Sequence, residues 1–269
     1  MTNKDLCAIV IPVYKEKIDK YETLSFRQCM KVLGNYDIYL VTHEHLGLSV
    51  YNAVASEYDI QLKTVLFDDA FFTNIAGYNR LMKSKQFYKS FVQYEYILIY
   101  QLDAFVFRDE LKYWCSQGYD YIGAPWMIND EGGLLEKGLW TVGNGGLSLR
   151  KVSHCLRVLS WKGPVMKYKK LWHLPYMLGW QNNMKYYTNS KLNEDGLFSG
   201  LLSPSFIRYN VPTAEKAAFF AFERFPSYLY SLCNNQLPFG CHAFHKYEYE
   251  TFWKKFIEND EIYNNNSQL

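Results

Sequence analysis

Asp103 directly follows the apolar run YILIYQL at residues 96–102, so its carboxylate should emerge where a buried strand ends. An acid in that place can hold a divalent cation, and a cation there can neutralise a departing diphosphate. The same position also suits a turn or capping Asp. Asn193, Glu194 and Asp195 form a second acidic group, followed by Gly196 and the apolar Leu197, Phe198, Leu201 and Leu202. This reads as a helix start with Asn193 as the cap, where acids favour the dipole or where one carboxylate can serve as a general base. Adjacent helical residues point about 100° apart. The three- and four-residue spacing to the apolar side chains then turns Asp195 inward and leaves Glu194 exposed or holding an acceptor hydroxyl. The run Cys241-His242-Ala243-Phe244-His245 offers imidazoles that suit Mn²⁺ or Zn²⁺. It lacks the second Cys or His pair of a structural zinc site. Gly143-Asn144-Gly145-Gly146 is a tight turn whose glycines let the backbone approach a ligand such as a sugar ring.

The elements that must position these groups alternate strand and helix through the first half. Residues 6–13 (LCAIVIPV) and 96–102 are short apolar runs of the kind that form buried parallel strands, and 37–41 (DIYLV) and 61–67 (QLKTVLF) read as the second and third strands. Between the first two lies a helix with Leu24, Phe26, Met30 and Leu33 on one face and Gly34 as its cap. Residues 75–91 suit one long helix. Such alternation predicts a mixed, mainly parallel α/β sheet flanked by helices, Rossmann-like, with ligands beyond the carboxyl ends of the strands. In the second half, strands are expected at 119–124 and 143–149, and an irregular insertion at 160–191. One domain over 1–258 with a polar tail at 259–269 accounts for the whole chain.

Composition narrows the function classes. The chain has 269 residues and a net charge of +2, too small to argue for nucleic acid. Its 24 Tyr, 18 Phe and 7 Trp supply rings that can stack on sugar faces or fill a core. The start carries no signal-peptide pattern, no stretch reaches membrane-spanning length, and the six cysteines lack paired spacing, so a cytoplasmic protein with reduced thiols is expected. Lys167, Lys169 and Lys170 beside Tyr168 and Trp172 form a solvated helix face or a peripheral contact with an anionic membrane. There is neither a dinucleotide fingerprint nor a P-loop.

The segments AIVIPVYKE, YILIYQLDAFVFRDEL, YDYIGAPW, VGNGGLSLRK, NEDGLFSG and PFGCHAFHKY occur in order between residues 7 and 247. In this the chain resembles a family of GT-A-like proteins, bacterial and fungal, catalogued as a domain of unknown function and presumed to be glycosyltransferases. The resemblance implies a GT-A fold, a nucleotide-sugar donor and a glycan or lipid-linked acceptor. It implies that Pro12, Val13 and Tyr14 flank the nucleotide base, and that Asn144, Gly145 and Gly146 line the sugar pocket. It further implies that Glu194 and Asp195 supply the base of an inverting transfer, and that Mn²⁺ or Mg²⁺ is held by Asp103 with His242 or His245. His242 is favoured because it follows the turn at Gly240. The family's Asp-x-Asp pattern is broken after Asp103, where Ala104 and Phe105 follow. Arg80 and Lys15 are candidate phosphate partners, and Trp126 and Trp140 candidate sugar-stacking rings. The rival readings are a nucleotidyltransferase and a non-catalytic sugar- or nucleotide-sugar-binding protein.

Overall fold

The computed structural model describes residues 6–128, 138–167, 193–200 and 208–258. Tyr168, Lys169, Lys170, Trp172, Leu201, Leu202 and the tail 259–269 lie outside the described residues, as does the side chain of Lys167.

In chain order the elements are β1 (Cys7–Pro12), α1 (Lys20–Leu33), β2 (Asp37–Thr42), α2 (Ser49–Ser56), β3 (Lys63–Leu66), α3 (Ile75–Met82), α4 (Lys85–Lys89) and β4 (Tyr96–Tyr100). They continue with β5 (Ala104–Val106), α5 (Leu111–Ser116), β6 (Tyr121–Ile122), β7 (Pro125–Met127), β8 (Leu139–Val142), β9 (Leu147–Lys151) and α6 (Val152–Lys167). The last are α7 (Glu194–Phe198), α8 (Ala214–Ala218), β10 (Ala221–Phe222), α9 (Pro226–Leu232) and β11 (Gly240–His242), then a π-helical turn at Tyr249–Trp253. The main sheet runs β3-β2-β1-β4-β9-β6. Its first four strands are parallel, and β9 lies antiparallel between β4 and β6. Every residue of β1 and β4 is buried, as continuous apolar runs in a two-sided sheet should be.

The strand order decides where a ligand can sit. From β1 the chain moves outward to β2 and β3, then returns to place β4 on the other side of β1. The crossovers leave in opposite directions from this point, so a crevice opens beyond the carboxyl ends of β1 and β4. Pro12 to Tyr14 and Gln101 to Asp103 lie there. A capping box orders the loop between β1 and α1: Asp19 Oδ1 accepts from the Tyr21 and Glu22 amides, and Glu22 Oε2 accepts from the Asp19 amide.

Several elements differ from the sequence expectation. The helix expected over 75–91 is two helices, because the Ser84 hydroxyl accepts from the Phe87 amide and caps a new start. The strand expected at 119–124 is only the pair Tyr121–Ile122, and β7 and β8 form a separate two-stranded ribbon. The glycines at 143–146 stay in the turn, and β9 begins at Leu147. Helix α6 extends to Lys167, into the stretch read as irregular. All six cysteines are buried and free. Among the described residues, no helix is long and apolar enough to cross a membrane.

Candidate functional site

A second, three-stranded sheet, β10-β11-β5, brings the first chemical groups together. Strands β11 and β5 pair antiparallel in a register that sets His242 opposite Ala104. The residue before Ala104 is Asp103, and the result is an ion pair with His242 Nε2 3.0 Å from Asp103 Oδ1. Gln101 Oε1 lies 3.2 Å from the same Nε2. On the other side of the ring, Nδ1 is 3.2 Å from Glu223 Oε1, and Asn144 Nδ2 lies 3.1 Å away. Lys246 Nζ sits 2.9 Å from the second oxygen of Asp103.

This cluster therefore holds two carboxylates, one imidazole and one ammonium. Burial opposes charge on His242, but Asp103 and Glu223 outweigh it and push its pKa up to about 10. Burial likewise opposes charge on Asp103, and is outweighed by His242 and Lys246, which hold its carboxyl well below the usual range. Asp103 returns the favour to Lys246, whose pKa is raised despite the cost of burial. With His242 protonated the four charges sum to zero.

The glycine turn connects this cluster to the acidic helix. The Gln101 amide donates to the Gly146 carbonyl (2.8 Å), which ties the turn to the end of β4. Asn144 adopts a left-handed φ of 61°. Its Oδ1 accepts from the Gly146 amide, and its carbonyl accepts from the Tyr121 hydroxyl at 2.7 Å. A Cβ on Gly146 would stand 2.0 Å from His242 Nε2, and one on Gly145 would stand 2.1 Å from Glu194 Oε1. Each glycine is thus required by a side chain packed against its backbone, whatever ligand lies above.

Glu194 is where the structure overturns the sequence expectation. It is buried and paired with Arg150, Oε1 to Nη2 at 3.0 Å, instead of being exposed. Arg150 is wholly buried, and its guanidinium also donates to Ser148 Oγ (3.0 Å), Tyr88 Oη (3.1 Å) and the Gly145 carbonyl (3.3 Å). The rigid fork of donors suits such a site. The capping expectation changes too. Asn193 occupies the N-cap position without a side-chain capping bond. The Glu194 amide is instead met by Asn79 Oδ1 from α3 at 3.0 Å, and Asn79 Nδ2 donates to Asn193 Oδ1.

Asp195, the next residue, remains partly exposed. Burial, with Glu194 adding its charge, raises its pKa to about 7, while the Gly196 amide and Arg150 pull the other way. Its carboxylate also feels Glu223 from the first cluster. A carboxyl group poised near neutrality can accept a proton from a hydroxyl.

The remaining candidates are placed as follows. Pro12 and Val13 continue the buried edge of β1, and Tyr14 is 59% exposed at its mouth. Lys15 binds Glu22 at 2.6 Å. Arg80 is exposed, and its Nη2 donates to the Ala70 carbonyl. His245 stands apart from the cluster core, stacked on Tyr21 with centroids 5.4 Å apart. Trp126 and Trp140 lie side by side on the β7–β8 ribbon, centroids 6.3 Å apart, with Trp126 against Gly143. Gln101, Glu223, Lys246, Arg150 and Asn79 were missed in the sequence. Gln101, Arg150 and Lys246 carried a signal, since each lies inside a segment that bears the family resemblance.

Asp103 and His242 do meet, as a shared cation site would require, but their donor set does not fit a divalent ion well. Asp103 is the one carboxylate on the Nε2 side of His242, its second oxygen is taken by an ammonium, and Glu223 lies on the far side of the ring. Both imidazole nitrogens face carboxylates, an arrangement that favours a proton on Nε2 over a metal bond. Among the described residues, no group of three or more His, Cys, Asp or Glu side chains is arranged to hold a metal ion.

Solved structures give the fold a reference. The galactosyltransferase LgtC in complex with donor and acceptor sugar analogues aligns over 87% of this chain and 86% of its own, at 13% identity and a TM-score of 0.52. An active-site mutant of LgtC aligns over the same shares with a TM-score of 0.50. The glycosyltransferase GlyE of Streptococcus pneumoniae TIGR4 is a weaker likeness, TM-score 0.45 at 14% identity, over 88% of this chain and 54% of its own. The fold is that of the GT-A glycosyltransferases. No curated protein matches the chain. A family model described as "Protein of unknown function (DUF5672)" matches residues 61–242, more than half of the sequence, and the chain belongs to that family.

Proposed function

We propose that this protein transfers a sugar from a nucleotide-diphosphate donor to a hydroxyl of a glycan or lipid-linked acceptor, with inversion at the anomeric carbon. The observation that carries the reading is the glycine turn flanked by two unlike poles. Gly146 rests on His242, whose partner Asp103 also holds Lys246; Gly145 rests on Glu194, beside the near-neutral carboxyl of Asp195. A sugar lying over Asn144, Gly145 and Gly146 would present its diphosphate to one pole and its anomeric carbon to the other.

In this mechanism the acceptor oxygen attacks the anomeric carbon while Asp195 takes the hydroxyl proton. The bond between that carbon and the diphosphate oxygen breaks, and its electron pair leaves with the diphosphate. Asp195 acts as the base, and Glu194 is a positioning residue, since its carboxylate is committed to Arg150. The nucleotide base lies against Pro12, Val13 and Tyr14 at the switch point. Trp126 and the exposed Trp140 are offered to acceptor sugar rings, and Arg80 makes at most an outer contact. The protein works on the cytoplasmic side, where a lipid-linked acceptor would bring it to the membrane surface.

The test is a thermal-shift screen of nucleotide sugars followed by product analysis. A true donor at a hundred times its Kd should stabilise the fold by about 2.7 kcal/mol. NMR of the product then reads the anomeric configuration. Retention would eliminate Asp195 as the base of an inverting transfer. Pyrophosphate release from a nucleoside triphosphate would replace the reading by nucleotidyl transfer, and donor binding without turnover by a binding protein.

A further inference from the structure

We propose that the ammonium of Lys246, held by Asp103 and seconded by His242, does the work of a divalent cation in this protein, so that the leaving diphosphate is neutralised by side chains alone. The inference rests on the nucleotide-sugar reading above and adds the chemistry of its diphosphate pole.

Three observations carry it. First, both oxygens of Asp103 are already engaged by nitrogen cations, His242 Nε2 at 3.0 Å and Lys246 Nζ at 2.9 Å. The acid at the end of β4 is therefore an anchor for cations of the protein itself. Second, the neighbouring position in the strand exit is Gln101, whose neutral amide adds no charge to attract a metal ion. Third, the Lys246 side chain is 55% exposed, while Asp103 and His242 are 18% and 13% exposed. An ammonium has three N–H donors. One is spent on Asp103, which leaves two on this half-exposed ammonium for phosphate oxygens. Glu223 holds the far side of the imidazole, which keeps its Nε2 edge towards Asp103 and the crevice.

The step balances without an added ion. As the anomeric carbon–oxygen bond breaks, the oxygen of the terminal phosphate keeps the electron pair, and Lys246 donates a hydrogen bond to it. Lys246 need not transfer its proton, since a nucleoside diphosphate is stable as the anion. Asp103 prevents the lysine from swinging into solvent when the site is empty.

The experiment is calorimetric titration of the full chain with UDP, GDP, CDP, dTDP and ADP, first in excess EDTA and then in excess MnCl2. The expected result is that the preferred diphosphate binds in EDTA with a Kd within about threefold of that in Mn²⁺. Lys246→Ala should weaken it by roughly 10–100-fold, the range of a charge-assisted hydrogen bond, and Mn²⁺ should not restore it. Lys246→Arg should keep most of the affinity, since it retains the charge and the reach. Melting curves verify that these exposed substitutions leave the fold intact. Binding that appears only with Mn²⁺ would overturn the inference and leave the nucleotide-sugar reading standing. Unchanged affinity in Lys246→Ala would overturn it as well. If none of the five diphosphates binds in either condition, the nucleotide-sugar reading falls and takes this inference with it.

Discussion

The two charged clusters on either side of the glycine turn are built from similar parts and differ in what surrounds them. Around Arg150 and Glu194, every guanidinium nitrogen donates a hydrogen bond and the pair is sealed from solvent. Around Asp103 and His242, the pair is covered on one side by Glu223 and Asn144 and opens on the other to the exposed Lys246. An ion pair sealed from solvent is out of a ligand's reach, so its effect is positional: it fixes α7 against the turn and sets the environment of Asp195. An open cluster keeps donors for a ligand. Similar charges therefore take structural or binding roles according to how far they are buried, not according to residue type.

That contrast can be tested by substitutions graded by expected effect. The largest falls on Asp195, which lies between the two clusters. Asp195→Asn should lower kcat by about 10²–10⁴-fold, measured by donor turnover. The wild-type rate should climb as pH rises through about 7, because the base works only once it has lost its proton. The sign for stability is opposite. Asp195 holds its proton in the folded state to higher pH than in the unfolded chain, so wild-type stability falls as pH rises from about 4 to 7. Asp195→Asn should lack that fall, with melting temperatures at pH 5 and 8 as the readout; the charged groups facing Asp195, Glu194, Arg150 and Glu223, stay in place.

Next comes the sealed pair. Arg150→Met strands a buried carboxylate and should cost about 3–5 kcal/mol in chemical denaturation. Arg150→Met combined with Glu194→Leu should recover much of that stability, because two apolar groups need no partners. The double variant should nonetheless transfer sugar poorly if the pair's purpose is to place Asp195. Full activity in it would erase the positional role.

A smaller effect is expected at the turn. Gly146→Ala forces a methyl group to within 2.0 Å of His242 Nε2 and should cost about 1–3 kcal/mol. It should also weaken diphosphate binding by displacing the imidazole, whereas Gly145→Ala, pressing on Glu194, should affect kcat more than binding. The smallest effect belongs to the half-exposed Lys63 at the edge strand, 3.0 Å from Asp37, a largely covered carboxylate that keeps the Tyr94 hydroxyl as a second partner. Lys63→Ala should change stability by only about 0–1 kcal/mol. It provides a baseline for reading the other variants.

Much of the architecture was legible in the chain itself. The runs LCAIVIPV and YILIYQL read as buried strands because burial on both faces leaves little place for polar residues, and DIYLV read as the strand between them. The position of Asp103 followed from the end of such a run, and the segments shared with a GT-A-like family pointed to the same edge of the sheet. These signals are local or depend on composition. Strand pairing and long-range partners are neither. His242 meets Asp103 because β11 happens to pair with β5 in one register, and a shift of one residue would turn the imidazole to the other face. Lys246, Glu223 and Asn79 looked like ordinary surface or helix residues until the fold set them beside Asp103, His242 and Glu194.

The burial of Glu194 in place of Asp195 shows where sequence reasoning gives way. Helical spacing alone established that the two carboxylates point in different directions, and the apolar neighbours suggested that Asp195 faces inward. The sequence does not say that a buried Arg150 waits forty-four residues away in the chain, and that partner is what draws Glu194 into the core. Apolar periodicity determined the strands, the helices and the acid at the end of β4. Which charges are sealed and which are open was decided by the tertiary structure, because the cost of burying a carboxylate depends on a partner that only the completed fold supplies.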